Sequence, residues 1–150
     1  MPPTRRASRL LDLVRATSRV VLGAVLCFAA AYKVVEFPAF ETVLHRIDVV
    51  RQLPEILQAS VGGAVLGLEA VLGAALLLGV RRKLVGWSAF ALLVLLTGVF
   101  AVSRGSIQDT CGCMWRLGGI IPDSGEWLYA RNVVLASLAI LAATGGPRAR

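Results

Sequence analysis

Residues 56–80 read ILQASVGGAVLGLEAVLGAALLLGV, an apolar run that is interrupted by a single charged residue, Glu69. A helix of roughly 20 apolar residues crosses the hydrocarbon core of a bilayer, so this run predicts a transmembrane helix. Three more apolar blocks occur along the chain. They cover about residues 20–35, 84–103 and 127 or 129 to 144.

The composition places the whole chain in the membrane class. Hydrophobic residues make up 57% of it and the mean hydropathy is +0.73, more than a small soluble domain can bury. The blocks lack the two-residue alternation of barrel strands. The sequence therefore predicts an all-α, four-transmembrane-helix bundle. Its predicted parts are a basic N-terminal segment (1–18), the membrane domain (19–145) and a tail (146–150).

The N-terminus also admits a second interpretation. Arg5-Arg6, the apolar block and Ala29-Ala30-Ala31 are compatible with a cleaved signal peptide, including one of the twin-arginine type. The long basic leader and the membrane-spanning character of the remaining chain favour a retained first helix.

The net charge of +7 comes from basic residues placed between the apolar blocks. They form no basic stripe with interleaved aromatics, so nucleic-acid binding is not expected. Cytoplasmic loops are enriched in Lys and Arg, which predicts cytoplasmic termini and a multi-pass protein of a bacterial inner (plasma) membrane. On this topology, ten basic residues lie inside: Arg5, Arg6, Arg9, Arg15, Arg19, Arg81, Arg82, Lys83, Arg148 and Arg150. Outside lie Arg46, Arg51, Arg104 and Arg116, with at most Lys33 and Arg131 in addition.

Three charged residues of different helices are predicted at one depth. With a helical rise of about 1.5 Å per residue, Lys33 lies about 21 Å, Glu69 about 18 Å and Arg131 about 21 Å from the inner surface. Charges at such depth face the protein interior and pair with one another. Together with Asn132 they either form a polar pocket for a substrate or cofactor, or act as a structural clasp in which Glu69 neutralises Lys33 or Arg131.

Cys111-Gly112-Cys113 lies between the third and fourth predicted helices, in the loop that this topology places outside. Disulfides persist on that side of the membrane. A disulfide across one glycine closes a very short ring, which makes it a weak staple and a readily exchanged one. Arg104 and Arg116 flank the pair, and nearby positive charge favours the reactive thiolate. The pair is therefore predicted to be the catalytic, redox-active centre, the alternative being two incidental loop cysteines.

The remaining candidate residues are expected to have mainly structural or surface roles. Cys27 lies within the first helix, where a lone cysteine usually packs as a small hydrophobe; it is a possible third redox thiol. His45 is assigned to the surface, and two thiolates with one distant histidine fall short of a zinc site, so no metal is expected. Gly63-xxx-Gly67, and a row formed by Gly23, Cys27 and Ala31, predict close helix packing.

The order of these residues resembles the MauE family of methylamine-utilisation membrane proteins, which are grouped with DoxX-like four-helix proteins. The resemblance covers roughly residues 18–143. It departs where the family commonly continues with Phe-Gly and this chain has Met114-Trp115. The matching positions are Lys33, Gly67-Leu68-Glu69, Gly73, Arg104-Gly105, Cys111-Gly112-Cys113 and Arg131-Asn132.

The resemblance implies thiol–disulfide chemistry outside the cytoplasm with a thioredoxin-fold partner, in the formation or redox maturation of disulfides in exported proteins. We therefore expect a membrane thiol–disulfide oxidoreductase. A membrane quinone is the one cofactor considered, by analogy of fold. Two alternatives stay open: a non-enzymatic accessory or anchoring subunit, and a small-molecule carrier using the pocket of Lys33, Glu69 and Arg131.

Overall fold

The computed structural model describes residues 5–102 and 125–144, and every regular element in these ranges is a helix. Cys111, Cys113, Arg104 and Arg116 lie outside the described residues. The six helices are α1 (Arg5–Val35), α2 (Phe37–Arg46), α3 (Asp48–Arg51), α4 (Glu55–Leu78), α5 (Arg82–Val102) and α6 (Gly125–Ala143).

Three of the helices are long and apolar enough to cross a membrane, over Ser8–Val35, Glu55–Leu78 and Arg82–Val99. The apolar part of α6, Tyr129–Ala143, is shorter. Large apolar side chains are exposed on the outer faces of the helices, among them Val71 (66%) and Val133 (64%). Lipid accounts for such surfaces, because it replaces the protein interior that a soluble fold would need.

The four long helices pack as a ring in which α1 lies between α4 and α6, and α5 lies against α6. The contact between α4 and α5 is the lightest of the four, although a short turn joins these two helices. The core between the helices consists of small and branched apolar side chains: Leu22, Leu26, Leu76, Val85, Ala89, Leu93, Leu135 and Ala139.

The turn between α4 and α5 follows from its sequence. Gly79 adopts a left-handed conformation (φ 72°), and the N–H of Val80 donates to the carbonyl oxygen of Ala75 at 3.0 Å. This arrangement ends a helix and satisfies its last carbonyl groups, and it favours glycine, which has no Cβ. The chain then enters α5 at Arg82, so the basic triplet of residues 81–83 forms the corner.

Two parts of the chain differ from the blocks recognised in the sequence. The first helix begins at Arg5, so most of the basic leader continues the helix. The mixed segment of residues 36–55 forms α2 and α3, which bury one apolar face against the bundle. The buried residues of that face are Phe40, Val43, Ile47 and Val50.

Close packing of α1 on α4 depends on Gly23 and Gly73. A Cβ on Gly73 would lie 2.7 Å from the Sγ of Cys27 and 3.0 Å from the carbonyl oxygen of Gly23. The predicted packing role of Gly23 and Cys27 therefore agrees with the structure, whereas Ala31, the third residue of that row, is exposed. The prediction for Gly63 and Gly67 was wrong within the described chain, where no atom of another helix lies within 4 Å of a Cβ built on either residue. Both glycines lie on another side of α4 from Gly73.

Candidate functional site

A buried ion pair joins α1 to α4. The Nζ atom of Lys33 donates to both carboxylate oxygens of Glu69, at 2.5 Å to Oε1 and 2.6 Å to Oε2. Lys33 is 5% exposed and Glu69 is 3% exposed. Since a lone charge at such depth is costly, each side chain makes the burial of the other tolerable.

The helices around the pair hold it in place. Gly23 and Gly73 bring the backbones of α1 and α4 together. This contact lies about two to three helical turns below Lys33. Phe40 of α2 covers the pair, with Lys33 Nζ 5.5 Å from the centre of its ring. A cation over an aromatic face gains further electrostatic stabilisation when water is excluded.

A second polar group joins α5 to α6. The Nδ2 atom of Asn132 donates to the hydroxyl of Thr97 at 2.9 Å, and the Thr97 hydroxyl donates to the carbonyl oxygen of Leu93 at 2.6 Å. Arg131 donates to the Oδ1 atom of Asn132 from Nε (3.3 Å) and from Nη2 (3.2 Å). Asn132 is buried, at 5% exposed, and Arg131 is half-buried.

Both polar groups line one cavity of about 200 Å³. Lys33, Glu69, Arg131 and Asn132 provide its polar wall, and the remaining lining is apolar. The structure thus brings together all four residues that the sequence placed in one layer. The apolar lining consists of Val25, Leu26, Ala29, Phe40, Val43, Leu44, Ile47, Val50, Val61, Val65, Leu93, Leu95, Leu96, Val99 and Leu135.

The three cysteines do not all fall at this site. Cys27 lies on α1 against Gly73, below the cavity, and it is not among the residues that line it. Cys111 and Cys113 lie outside the described residues, so their predicted catalytic role stays a prediction. His45 is half exposed and approaches Glu41 at 3.9 Å on the surface of α2. In residues 5–102 and 125–144, no group of three or more His, Cys, Asp or Glu residues is arranged to hold a metal ion.

Sequence reasoning missed Phe40 and Thr97. Phe40 belongs to a helical pattern, since Phe40, Val43, Ile47 and Val50 recur every three or four residues. That spacing predicts one buried face, but the charges among these residues draw attention to a loop instead. Thr97 gives no such signal, because a threonine in a membrane helix usually bonds to its own backbone.

Long apolar helices around a buried ion pair define a multi-pass helical membrane protein with a largely apolar cavity that has charged side chains in its wall. The family comparison agrees with this class. The chain belongs to the MauE family, whose model, described as methylamine utilisation protein MauE, matches residues 11–145. No curated protein and no solved structure matches the chain significantly.

Proposed function

We propose that this chain is a membrane thiol–disulfide oxidoreductase whose redox centre is Cys111 and Cys113. The pair exchanges disulfides at the extracytoplasmic face with a thioredoxin-fold partner, and so supports disulfide formation or redox maturation of exported proteins. The description of the MauE family, methylamine utilisation, is compatible with such an accessory role in the maturation of exported enzymes.

The proposal is supported by the position of the ends of α5 and α6, the two helices that flank the segment with Cys111 and Cys113. Thr97 and Asn132 are hydrogen-bonded across α5 and α6 at the cavity. From that bond, α5 continues about 8 Å to Val102, and α6 begins about 10 Å away at Gly125, at a rise of about 1.5 Å per residue. Both ends of the segment that contains Cys111 and Cys113 therefore belong to the same end of the bundle as the polar wall.

The proposed exchange needs no metal and conserves electrons. The thiolate of one cysteine attacks the disulfide of the partner, forming a mixed disulfide and releasing one partner thiolate. The second cysteine attacks this mixed disulfide, which closes the Cys111–Cys113 bond and releases the partner as a dithiol. Two electrons pass from the pair to the partner, and the reverse sequence oxidises the partner. The relative reduction potentials set the direction.

The test is the redox state of the pair in cells, trapped by acid quenching and alkylation with a mass-adding maleimide. Wild type should gain the mass of two labels only after reduction, and Cys111→Ser should react without reduction. Cys27→Ser is the matched control and should leave the reduction-dependent step unchanged. A pair that stays fully alkylatable under oxidising conditions would disprove the proposal.

Two other functions predict different outcomes. An accessory or anchoring subunit retains full function in the double variant Cys111→Ser/Cys113→Ser. A carrier is favoured by one specific observation, the 200 Å³ cavity with charged side chains in its wall. Its transport activity should survive removal of both cysteines and be lost in Glu69→Gln.

A further inference from the structure

On the side where α4 and α5 adjoin, the lining of the cavity extends from the core to an exposed residue. Its inner lining includes Leu93, which is 5% exposed, whereas Leu95 also lines it and is 63% exposed. Val61 and Val65 of α4 are half-buried and also line the cavity. The contact between α4 and α5 is light. Since the outer surface here is apolar and adjoins hydrocarbon, a molecule that enters by this route comes from the lipid.

Among residues 5–102 and 125–144, the hydrogen bonds of the polar wall do not use every donor of Lys33 and Asn132. A lysine ammonium has three N–H groups, and two of them account for the bonds from Lys33 to Glu69. The Asn132 amide has two, of which one donates to Thr97. Its oxygen already accepts from Arg131. A ligand that offers acceptor oxygens fits this wall better than one that offers only donors.

The volume limits the size of the ligand. An apolar protein cavity of about 150 Å³ is enough to bind benzene, and this one measures about 200 Å³. One substituted six-membered ring fills the space. A longer hydrocarbon tail has to leave through the opening beside Leu95 and remain in the lipid.

We propose that the cavity binds the ring of a lipid-soluble quinone that enters between α4 and α5, with its carbonyl oxygens accepting hydrogen bonds from Lys33 and Asn132. The redox role of this site rests on the function proposed above for Cys111 and Cys113. When the pair oxidises its partner, it is left as a dithiol. This dithiol then loses two electrons and two protons to become a disulfide again, and the quinone takes up both to become a quinol. Binding itself does not require the cysteines.

The experiment is photolabelling of the purified full chain in lipid nanodiscs with an azido-benzoquinone that bears a short alkyl tail. Labelled peptides are mapped by mass spectrometry, and an unlabelled short-tailed quinone competes. Leu95→Trp fills the opening, and Val94→Trp is the matched control, since Val94 is 51% exposed and does not line the cavity. Asn132→Leu removes one donor. Size-exclusion profiles identify the variants that remain folded.

We expect saturable labelling of α4 or α5 peptides in wild type and in Val94→Trp. Competition should be about tenfold weaker in Leu95→Trp and in Asn132→Leu, which corresponds to the loss of about one hydrogen bond or its equivalent. A linear alkane of the same tail length should not compete. Equal labelling of both tryptophan variants, or displacement by the alkane, would overturn the proposal, because the site would then hold acyl chains or nothing specific.

A second pair of outcomes separates this inference from the proposed function. Labelling should be unchanged in Cys111→Ser/Cys113→Ser. If labelling is saturable while the cysteines never cycle, the proposed function fails and the quinone site stands. If the cysteines cycle with their partner but labelling is absent, the quinone site fails and the exchange activity stands.

Discussion

Lys33 of α1 and Glu69 of α4 form a two-pronged ion pair inside the helical bundle, 36 residues apart in sequence and both nearly inaccessible. The pair fixes the rotation of two helices relative to each other, since turning either one would separate the charges. It also forms part of the cavity wall. One interaction thus serves the packing of α1 on α4 and the shape of the candidate site.

Removing one member of this pair should destabilise the protein strongly. In Lys33→Met the carboxylate of Glu69 stays buried without its partner, a change that typically costs about 3–5 kcal/mol. The double variant Lys33→Met/Glu69→Met should recover most of the loss, because no uncompensated charge remains. Thermal unfolding of the detergent-solubilised protein measures both effects. Lys83→Met, in the exposed first turn of α5, is the control, and a single variant as stable as this control would contradict the prediction.

Two glycines of α4 should respond oppositely to alanine. In Gly73→Ala the new Cβ would lie 2.7 Å from Cys27 Sγ and 2.9 Å from the Cys27 backbone nitrogen, so α1 and α4 must separate. Overpacking of this kind costs about 1–3 kcal/mol. In Gly67→Ala the Cβ meets no atom of another helix within 4 Å, and the better helix former should stabilise the protein by up to about 1 kcal/mol.

The same unfolding assay measures the stability of these two variants. Both replace a glycine of α4 by alanine, so they differ only in what the new Cβ contacts. Should Gly67→Ala prove as destabilising as Gly73→Ala, position 67 must face a close neighbour after all. The close approach of α1 to α4 would then not explain why alanine is expected to be unfavourable at position 73 and favourable at position 67.

The sequence predicts the helices and the level of the charges because both follow from simple counting. An apolar run of sufficient length reports a membrane helix, and a fixed rise per residue places Lys33, Glu69 and Arg131 at similar depth. Counting does not identify the partner of Glu69, since two cations lie at its level. The choice of Lys33 depends on which helix packs closest to α4, and that is decided at Gly23 and Gly73.

The glycine pattern shows the same limit. Gly63-xxx-Gly67 and the row containing Gly23 are equally good packing signals in sequence, yet only the second has a neighbouring helix within the described chain. The apolar face of α2 and α3 is also not evident from the sequence, because Glu41, His45 and Asp48 alternate with the residues that become buried. A short helix whose outer side is charged resembles a loop until something covers its inner side.

The hydrogen bond between Asn132 and Thr97 should make a small, specific contribution to stability. Thr97→Val keeps the shape of the side chain and removes the hydroxyl, so the buried Asn132 amide loses an acceptor at 2.9 Å. Hydrogen bonds between membrane helices average about 0.6 kcal/mol, with a maximum near 1.7. Thr97→Ser retains the hydroxyl and is the control. If both variants unfold at the same temperature, the bond contributes nothing measurable.

The orientation in the membrane is testable without the native cysteines. In a chain with Cys27, Cys111 and Cys113 changed to serine, His45→Cys should react in intact cells with a membrane-impermeant maleimide, because His45 lies in the segment predicted to face outward. Lys83→Cys should react only after permeabilisation, since it belongs to the basic corner of residues 81–83 that the positive-inside rule keeps in the cytoplasm. The reverse pattern would place the segment between α5 and α6 on the reducing side. A persistent Cys111–Cys113 disulfide would not be expected there, and the exchange chemistry proposed for the pair would lose its basis.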